Sequence, residues 1–348
     1  MTTQEKLQLS KDVFTHHEAV APVIMYYHGI LSMLGALKTG EIANDTAYIE
    51  KIVKMLEKFP DEIPHRQYNF PSYFIGGNAR AYALFKGYMT DDRTKALVRQ
   101  YAEEFMTAPR DRDGVLKLPD LTTRELIWID VATAVTPFLL YAGLTFHEPA
   151  WIDEAVYQTL KMYDIFLDPA NGLLHQVRGK VAQGVITEDH WGRGNGWGYF
   201  PLAELVQYLP KEHPQRGRVE DYFGRHAYAL LKYQTEHGVW CQELTDLNSY
   251  EEASGTGLIL YGYGVGLRMG LLHEIAFREP YEEGLAGMCK QFIMDDLRIK
   301  NVCPGCCAPG RGRLMGTIRA YTQLMPVIDD QHGFGPIQLA LAEAALHT

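Results

Sequence analysis

Two stretches of this chain combine residue types suited to proton transfer or to holding a polar ligand. The first is a carboxylate in apolar surroundings: Asp130 is the charged residue of Leu126-Ile-Trp-Ile-Asp-Val-Ala-Thr-Ala-Val135. A carboxyl flanked by Ile129 and Val131 is desolvated, which favours the protonated form and raises its pKa. A general acid working near neutrality needs that shift. An isolated Asp in such a helix is also commonly bonded to a neighbouring backbone, so the residue alone leaves both roles open. The second stretch is Asp189-His-Trp-Gly-Arg-Gly-Asn-Gly-Trp-Gly198. Its alternating glycines are expected to take positive φ and let the backbone approach a ligand. Between them stand groups suited to a sugar: Trp191 and Trp197 offer faces for stacking, Arg193 a fork for a carboxylate, and Asn195 an amide for hydroxyls. No Gly-Lys-Ser/Thr follows and no strand precedes, so a phosphate loop does not fit.

Other reactive residues are less telling. His175, His190 and His332 each stand beside turn signals, and no His-x-x-x-His or similar pair marks a metal site. Cys303-Pro-Gly-Cys306-Cys307 has CxxC spacing without a second ligand pair or a βαβ setting, and reads as a tight loop with reduced thiols. Ser254 lacks the Gly-x-Ser-x-Gly frame of a nucleophile and reads as a helix start. No metal and no cofactor is expected.

The elements that position these groups are helical. Apolar residues recur at helical spacing between short Gly, Pro, Asp and Asn punctuation. This spacing predicts helices near residues 17–38, 46–59, 72–89, 92–107, 123–142, 149–167, 196–209, 217–236, 255–275, 281–297, 315–327 and 336–347. Thr122-Thr123-Arg124-Glu125 reads as a capping box, which places Asp130 beyond the first turn and out of the helix dipole's reach. Pro137 removes the hydrogen bond to the Thr133 carbonyl and is expected to bend this helix. Strand signals are sparse, with residues 179–187 the best candidate for a short strand or extended loop. Roughly a dozen helices of similar length, with no linker or strict repeat, suggest antiparallel hairpins closed into a ring or stacked as a solenoid. Neither end looks like a polar capping repeat, which favours the ring. Residues 1–348 are expected to form one domain.

Composition narrows the class further. Of 348 residues, 47% are apolar, enough for a large core. A net charge of −10 argues against a nucleic-acid partner, which needs a basic footprint. An acidic sugar then needs a local cation to bind it. No secretory signal and no apolar run of roughly 20 residues is seen, and five cysteines make no disulfide framework. The expectation is a cytoplasmic protein, with no membrane contact, acting as a monomer or homodimer on a small acidic oligosaccharide.

Trp191-Gly-Arg-Gly-Asn-Gly-Trp197 resembles the signature of the unsaturated rhamnogalacturonyl hydrolases, glycoside hydrolase family 105, related to the unsaturated glucuronyl hydrolases of family 88. Three further segments agree in order: Trp128-Ile-Asp130 with Pro137-Phe-Leu139, Glu252-Ala-Ser-Gly-Thr-Gly257, and Asp330-Gln-His-Gly-Phe-Gly-Pro336. The resemblance implies an all-α (α/α)6 barrel. It also implies an unusual reaction on the C4=C5 double bond that polysaccharide lyases leave on a terminal uronic acid. An acid protonates C4, water adds at C5, and the hemiketal opens and expels the neighbouring sugar, rhamnose in the case of a galacturonyl-rhamnose substrate from pectin. On this pattern Asp130 is the acid and then the base. Arg193, His175, Trp191 and Trp197 hold the unsaturated sugar, and Trp128, Asn195 and His332 join the substrate-binding set. One departure stands out. The family's second aspartate commonly lies in an Asp-x-x-Asn segment, matched here by Ile75-Gly-Gly-Asn78 with Ile75 in the carboxylate's place.

Two other readings compete. A glycosidase for saturated uronides, such as β-glucuronides, needs a second carboxylate facing Asp130, with Glu252, Asp189 and Asp330 as candidates. A sugar-binding barrel without chemistry is the other.

Overall fold

The computed structural model describes residues 1–21, 24–61, 70, 75–118, 125–305 and 308–347. Helices follow one another as α1 (Thr3–Val20), α2 (Tyr27–Ile42), α3 (Thr46–Leu56), α4 (Gly77–Phe85) and α5 (Asp92–Thr107). After strand β1 (Ile127–Trp128) come α6 (Asp130–Phe146) and α7 (Pro149–Phe166). Strand β2 (Val177–Arg178) precedes α8 (Gly192–Tyr208), α9 (Arg216–Leu231), α10 (Ala253–Arg268) and α11 (Glu274–Phe292). The short α12 (Ile318–Thr322) and α13 (Phe334–Ala344) complete the described order.

Packing sorts these helices into two rings. In the inner ring α2 packs on α4, α4 on α6, α6 on α8, α8 on α10, α10 on α13, and α13 closes back on α2. The partners outside are α1, α3, α5, α7, α9 and α11. Sequence dictates which is which. Inner helices are apolar almost all round: in α10 every residue from Ala253 to Leu267 is buried. Outer helices keep one apolar stripe; α3 buries Ile49, Ile52 and Leu56 and leaves its other face to solvent. The ring, rather than a solenoid, is the arrangement formed.

Several boundaries differ from the periodicity. The polar start of the chain is a helix after all: Thr2 and Glu5 form a capping box, and α1 buries Leu7, Val13 and Phe14. The helix expected over 17–38 therefore divides between α1 and α2. The helix expected over 123–142 begins seven residues later, at Asp130, because Ile127 and Trp128 pair antiparallel with Arg178 and Val177. Glu125 is not helical and pairs with Lys117; Thr122 and Thr123 lie outside the described residues. The extended segment lies just ahead of the one expected at 179–187, although Ile186 still bridges to Arg178. Over 315–327, only α12 is helical in α form.

Part of the barrel interior is held by charge. Lys38 of α2 lies 3.2 Å from Glu204 of α8, and both are buried. Glu204 also accepts from the hydroxyls of Tyr141 (α6) and Tyr261 (α10), while the Lys38 ammonium lies over the rings of Tyr82 (α4), Tyr208 and Tyr261. Five inner helices thus meet on one ion pair. Removing one partner strands the other's charge away from water. Lys38→Met is expected to lower unfolding free energy by roughly 3–5 kcal/mol, read by urea titration, with much of the loss recovered in Lys38→Met/Glu204→Gln.

Candidate active site

The motif residues lie at the starts of inner helices. Tyr27 opens α2, Asn78 is second in α4, Asp130 opens α6, Arg193 is second in α8, and Ser254 is second in α10. His332 stands just before α13. Backbones meet closely here: a Cβ on Gly255 of α10 would lie 2.7 Å from the Gly192 carbonyl carbon of α8. The glycines of 192–198 are therefore helical residues chosen for close approach. None of the four takes the positive φ expected of a loop, and a Cβ on Gly192 would meet the Cys241 carbonyl oxygen at 2.5 Å.

A cavity of about 140 Å³ opens among these starts. Tyr27, Ile30, Leu31, Asn78, Leu118, Trp128, Asp130, Thr133, Ala134 and Trp197 line it. Asp130 as a residue is partly exposed to this space, but its Oδ2 is shut off from solvent and has no protein partner. Burial holds its pKa up at about 6, against the opposing pull of its own backbone N–H, the Arg193 charge and a hydrogen bond from Gln176. The expectation that Asp130 lies beyond the helix dipole is corrected: it is the first residue of α6. Desolvation nevertheless outweighs the N-terminal field.

The strand pair explains Gln176. Beyond the β1–β2 register the Ile129 N–H donates to the Gln176 carbonyl at 2.9 Å. The Gln176 amide oxygen accepts from Tyr321 and from the Ala308 N–H at 3.2 Å, so its NH2 group is the end left for Asp130. The resemblance named the neighbouring His175 as a residue that holds the sugar, and gave Gln176 no role. Successive residues of an extended segment face opposite ways, so His175 and Gln176 point to different surroundings.

His175 is directed elsewhere. Its Nδ1 contacts the Asp189 carbonyl at 3.0 Å, and its ring lies 4.7 Å from that of His190. With Asp168 these histidines bring possible ligand atoms within 4.8 Å of one another. Asp168 Oδ2 already lies 3.0 Å from His190 Nε2 and accepts from Asn171 Nδ2 at 2.9 Å, so protein groups engage two of the three residues.

Arg193, Trp191 and Asn195 lie behind the cavity wall. Arg193 is 1% exposed; it donates to the carbonyls of Cys303 (2.6 Å) and Pro304 (2.9 Å) and to Ser254 Oγ (3.2 Å), and stacks on Trp191. Its charge reaches Asp130 and His332 through space. Asn195 holds the Leu174 backbone at both ends of its amide, N–H to Oδ1 at 2.8 Å and Nδ2 to carbonyl at 3.0 Å, and is fully buried. In the structure it fastens the approach to α8, not a sugar hydroxyl. His332 adjoins the cavity through Tyr27, whose hydroxyl it bonds, and its other nitrogen lies 2.5 Å from Asp330.

The candidate second carboxylates are engaged. Glu252 caps α10, accepting from Ser254 and Gly255, and also from Cys303. Asp330 holds His332. Asp189 accepts from the Trp191 N–H at 3.3 Å, and burial pushes both it and nearby Glu243 upward in pKa. Ile75 is fully buried in the core, while Asn78, three residues on, reaches the cavity. Cys303 is buried, with its Sγ 2.9 Å from Gln242 Nε2; Cys306 and Cys307 lie outside the described residues.

A raised carboxyl pKa has a stability consequence with a definite sign. Asp130 titrates near 6 when folded, against an ordinary aspartate value of 3.8, so its contribution is intact below about pH 4 and is lost as pH rises through 6. Asp130→Asn is expected to stabilise the fold by roughly 1–3 kcal/mol at pH 7.5 and by almost nothing at pH 4, read by urea unfolding at both pH values.

Comparison with known proteins gives a consistent family. The Glycosyl Hydrolase Family 88 profile matches residues 3–347. An unsaturated 3S-rhamnoglycuronyl hydrolase of Alteromonas sp. (strain LOR) is 33% identical over 111 residues, 31% of this chain and 27% of that protein's length. The unsaturated rhamnogalacturonyl hydrolase YesR of Bacillus subtilis (strain 168) is 24% identical over 74% of each chain. The solved structure of a family 105 glycoside hydrolase from C. acetobutylicum ATCC 824 superimposes with a TM-score of 0.84, at 24% identity over 96% of this chain and 98% of the other. At that identity the structural likeness is one of fold. Among the described residues no helix is long and apolar enough to cross a membrane.

Proposed function

The chain belongs to glycosyl hydrolase family 88, a glycoside hydrolase on an (α/α)6 barrel, and from that premise we propose that it hydrates the C4=C5 bond of unsaturated uronyl disaccharides with Asp130 as general acid and base. The observation that carries this reading is the Asp130 carboxyl at a cavity, with one oxygen closed off from solvent and its pKa raised to about 6. Near neutrality a useful fraction is protonated. It gives its proton to C4, and positive charge develops at C5 and the ring oxygen. Water adds at C5 as the carboxylate takes the proton back, so the acid is regenerated. The hemiketal then opens and the neighbouring sugar leaves with its own oxygen. One residue cycling between acid and base suffices, whereas direct glycoside cleavage commonly uses two carboxyl groups at a set separation. Among the described residues, Asp130 is the carboxylate lining the cavity, which favours hydration over the saturated-uronide reading.

The surroundings suit such a substrate. Trp128 and Trp197 give the cavity aromatic walls for a ring's C–H faces. Helix starts and the buried Arg193 supply positive potential, a counterweight to the net charge of −10 for an anionic sugar. The names of the relatives above make galacturonyl-rhamnose and related unsaturated uronides the first substrates to offer.

Lyase-generated disaccharides carry an enol-ether ultraviolet band. The protein is expected to erase it, and Asp130→Asn to slow that loss by at least about 100-fold, within the usual range for a general acid. A band that persists across galacturonyl and glucuronyl substrates contradicts the reading. Because the acid form is required, the rate is expected to fall as pH rises above about 6. Gln176 stabilises the anion, so Gln176→Leu moves this fall to higher pH in the same assay.

A further inference from the structure

Besides Asp130 Oδ2, two polar atoms of cavity-lining residues are buried without a hydrogen-bond partner: Asn78 Oδ1 and Trp128 Nε1. Buried polar atoms are rarely left unpaired, and an unpaired group at a cavity calls for a ligand. For Asn78 the structure further determines which end of the amide is left over. Pro137, inside α6, has no N–H to give the carbonyl of residue 133 four positions before it. The Asn78 Nδ2 takes that place, donating to the Thr133 carbonyl at 2.9 Å. A rotated amide would set oxygen against oxygen there, so Nδ2 stays on the helix and Oδ1 is the end left unpaired in this cavity-lining residue. The residue is 3% exposed, which leaves the amide little freedom to turn.

We propose that Asn78 is a specificity-determining residue: its Oδ1, locked in place by the Pro137 gap in α6, accepts a hydrogen bond from a free hydroxyl of the sugar ring bound beside Asp130. An acceptor held this way rewards a donor. It rejects a ring lacking a hydroxyl at that position, because the carbonyl is then buried with nothing to bond. It also disfavours an ester or ether oxygen there, which brings a second acceptor. The indole N–H of Trp128 complements it by offering a donor to an oxygen of the same ligand. This proposal rests on the hydration reading, since it takes the unsaturated uronyl ring as the occupant.

The test compares an unsaturated uronyl disaccharide with its 2-deoxy and 3-deoxy counterparts, altered on the uronyl ring, by loss of enol-ether absorbance. The wild type is expected to process one deoxy analogue roughly 10–100-fold less efficiently in kcat/KM than the parent. In Asn78→Ala the parent falls by a similar factor and the parent-to-analogue ratio drops to near one. A packing role for Asn78 would instead lower all three substrates together and leave the ratio unchanged, as would partial misfolding. Pro137→Ala is the second variant: it returns an N–H to Thr133, loosens the Asn78 amide without altering a cavity side chain, and shrinks the ratio part of the way. The proposal is overturned if the wild type takes both deoxy analogues as well as the parent, or if the ratio survives in Asn78→Ala. Failure of the wild type to act on the parent removes the hydration reading itself, a separate result.

Discussion

Keeping one carboxyl oxygen out of water at the first residue of a helix sets the terms for everything around it. The start of α6 favours the Asp130 anion through its free N–H groups and dipole, and Arg193 and Gln176 push the same way. Only desolvation opposes them, and it prevails in a cavity whose walls are mostly aromatic and aliphatic. The result is an acid poised near neutrality, held by opposing effects of similar size. Such a group costs native stability whenever it is ionised, a familiar tension between function and fold. The Lys38–Glu204 pair and its tyrosines draw five inner helices together elsewhere in the same barrel interior.

The closed inner ring makes this arrangement possible. Alternating inner and outer helices bring the starts of α2, α4, α6, α8, α10 and α13 to one place, each carrying a residue of the site or its surround. Close backbone approach is part of the design, which is why glycine recurs where α8 and α10 begin. Arg193 works in this setting as a tether and a source of field. It joins α8 to α10 through Ser254 and to the chain at Cys303 and Pro304.

Much of this was legible in the sequence, for physical reasons. Long apolar runs at helical spacing marked the helices and their ring, and α5 and α7 start at the expected residues 92 and 149. Asp130 stood out because a charge in an apolar run is conspicuous. Pairing across the chain was not legible: β1 and β2 are two residues each, and their pairing delays α6 to Asp130. That contact also decides that Gln176, not His175, meets the acid. Glycines at 192–198 look the same in sequence whether they serve a loop or tight helix packing. Ile75 marked a missing carboxylate, whereas the fold shows that Asn78 in the same segment reaches the cavity.

The account turns on the ionisation of one group, and that can be observed without any substrate. Carbon-13 NMR titration of the side-chain carboxyls, with Asp130 assigned by its absence in Asp130→Asn, reads the midpoint directly. A midpoint near 6 is the result this structure predicts. A midpoint at or below about 4, the ordinary aspartate range, would mean that the helix start, Arg193 and Gln176 outweigh burial, and would contradict the assignment of Asp130 as a protonated acid near neutrality.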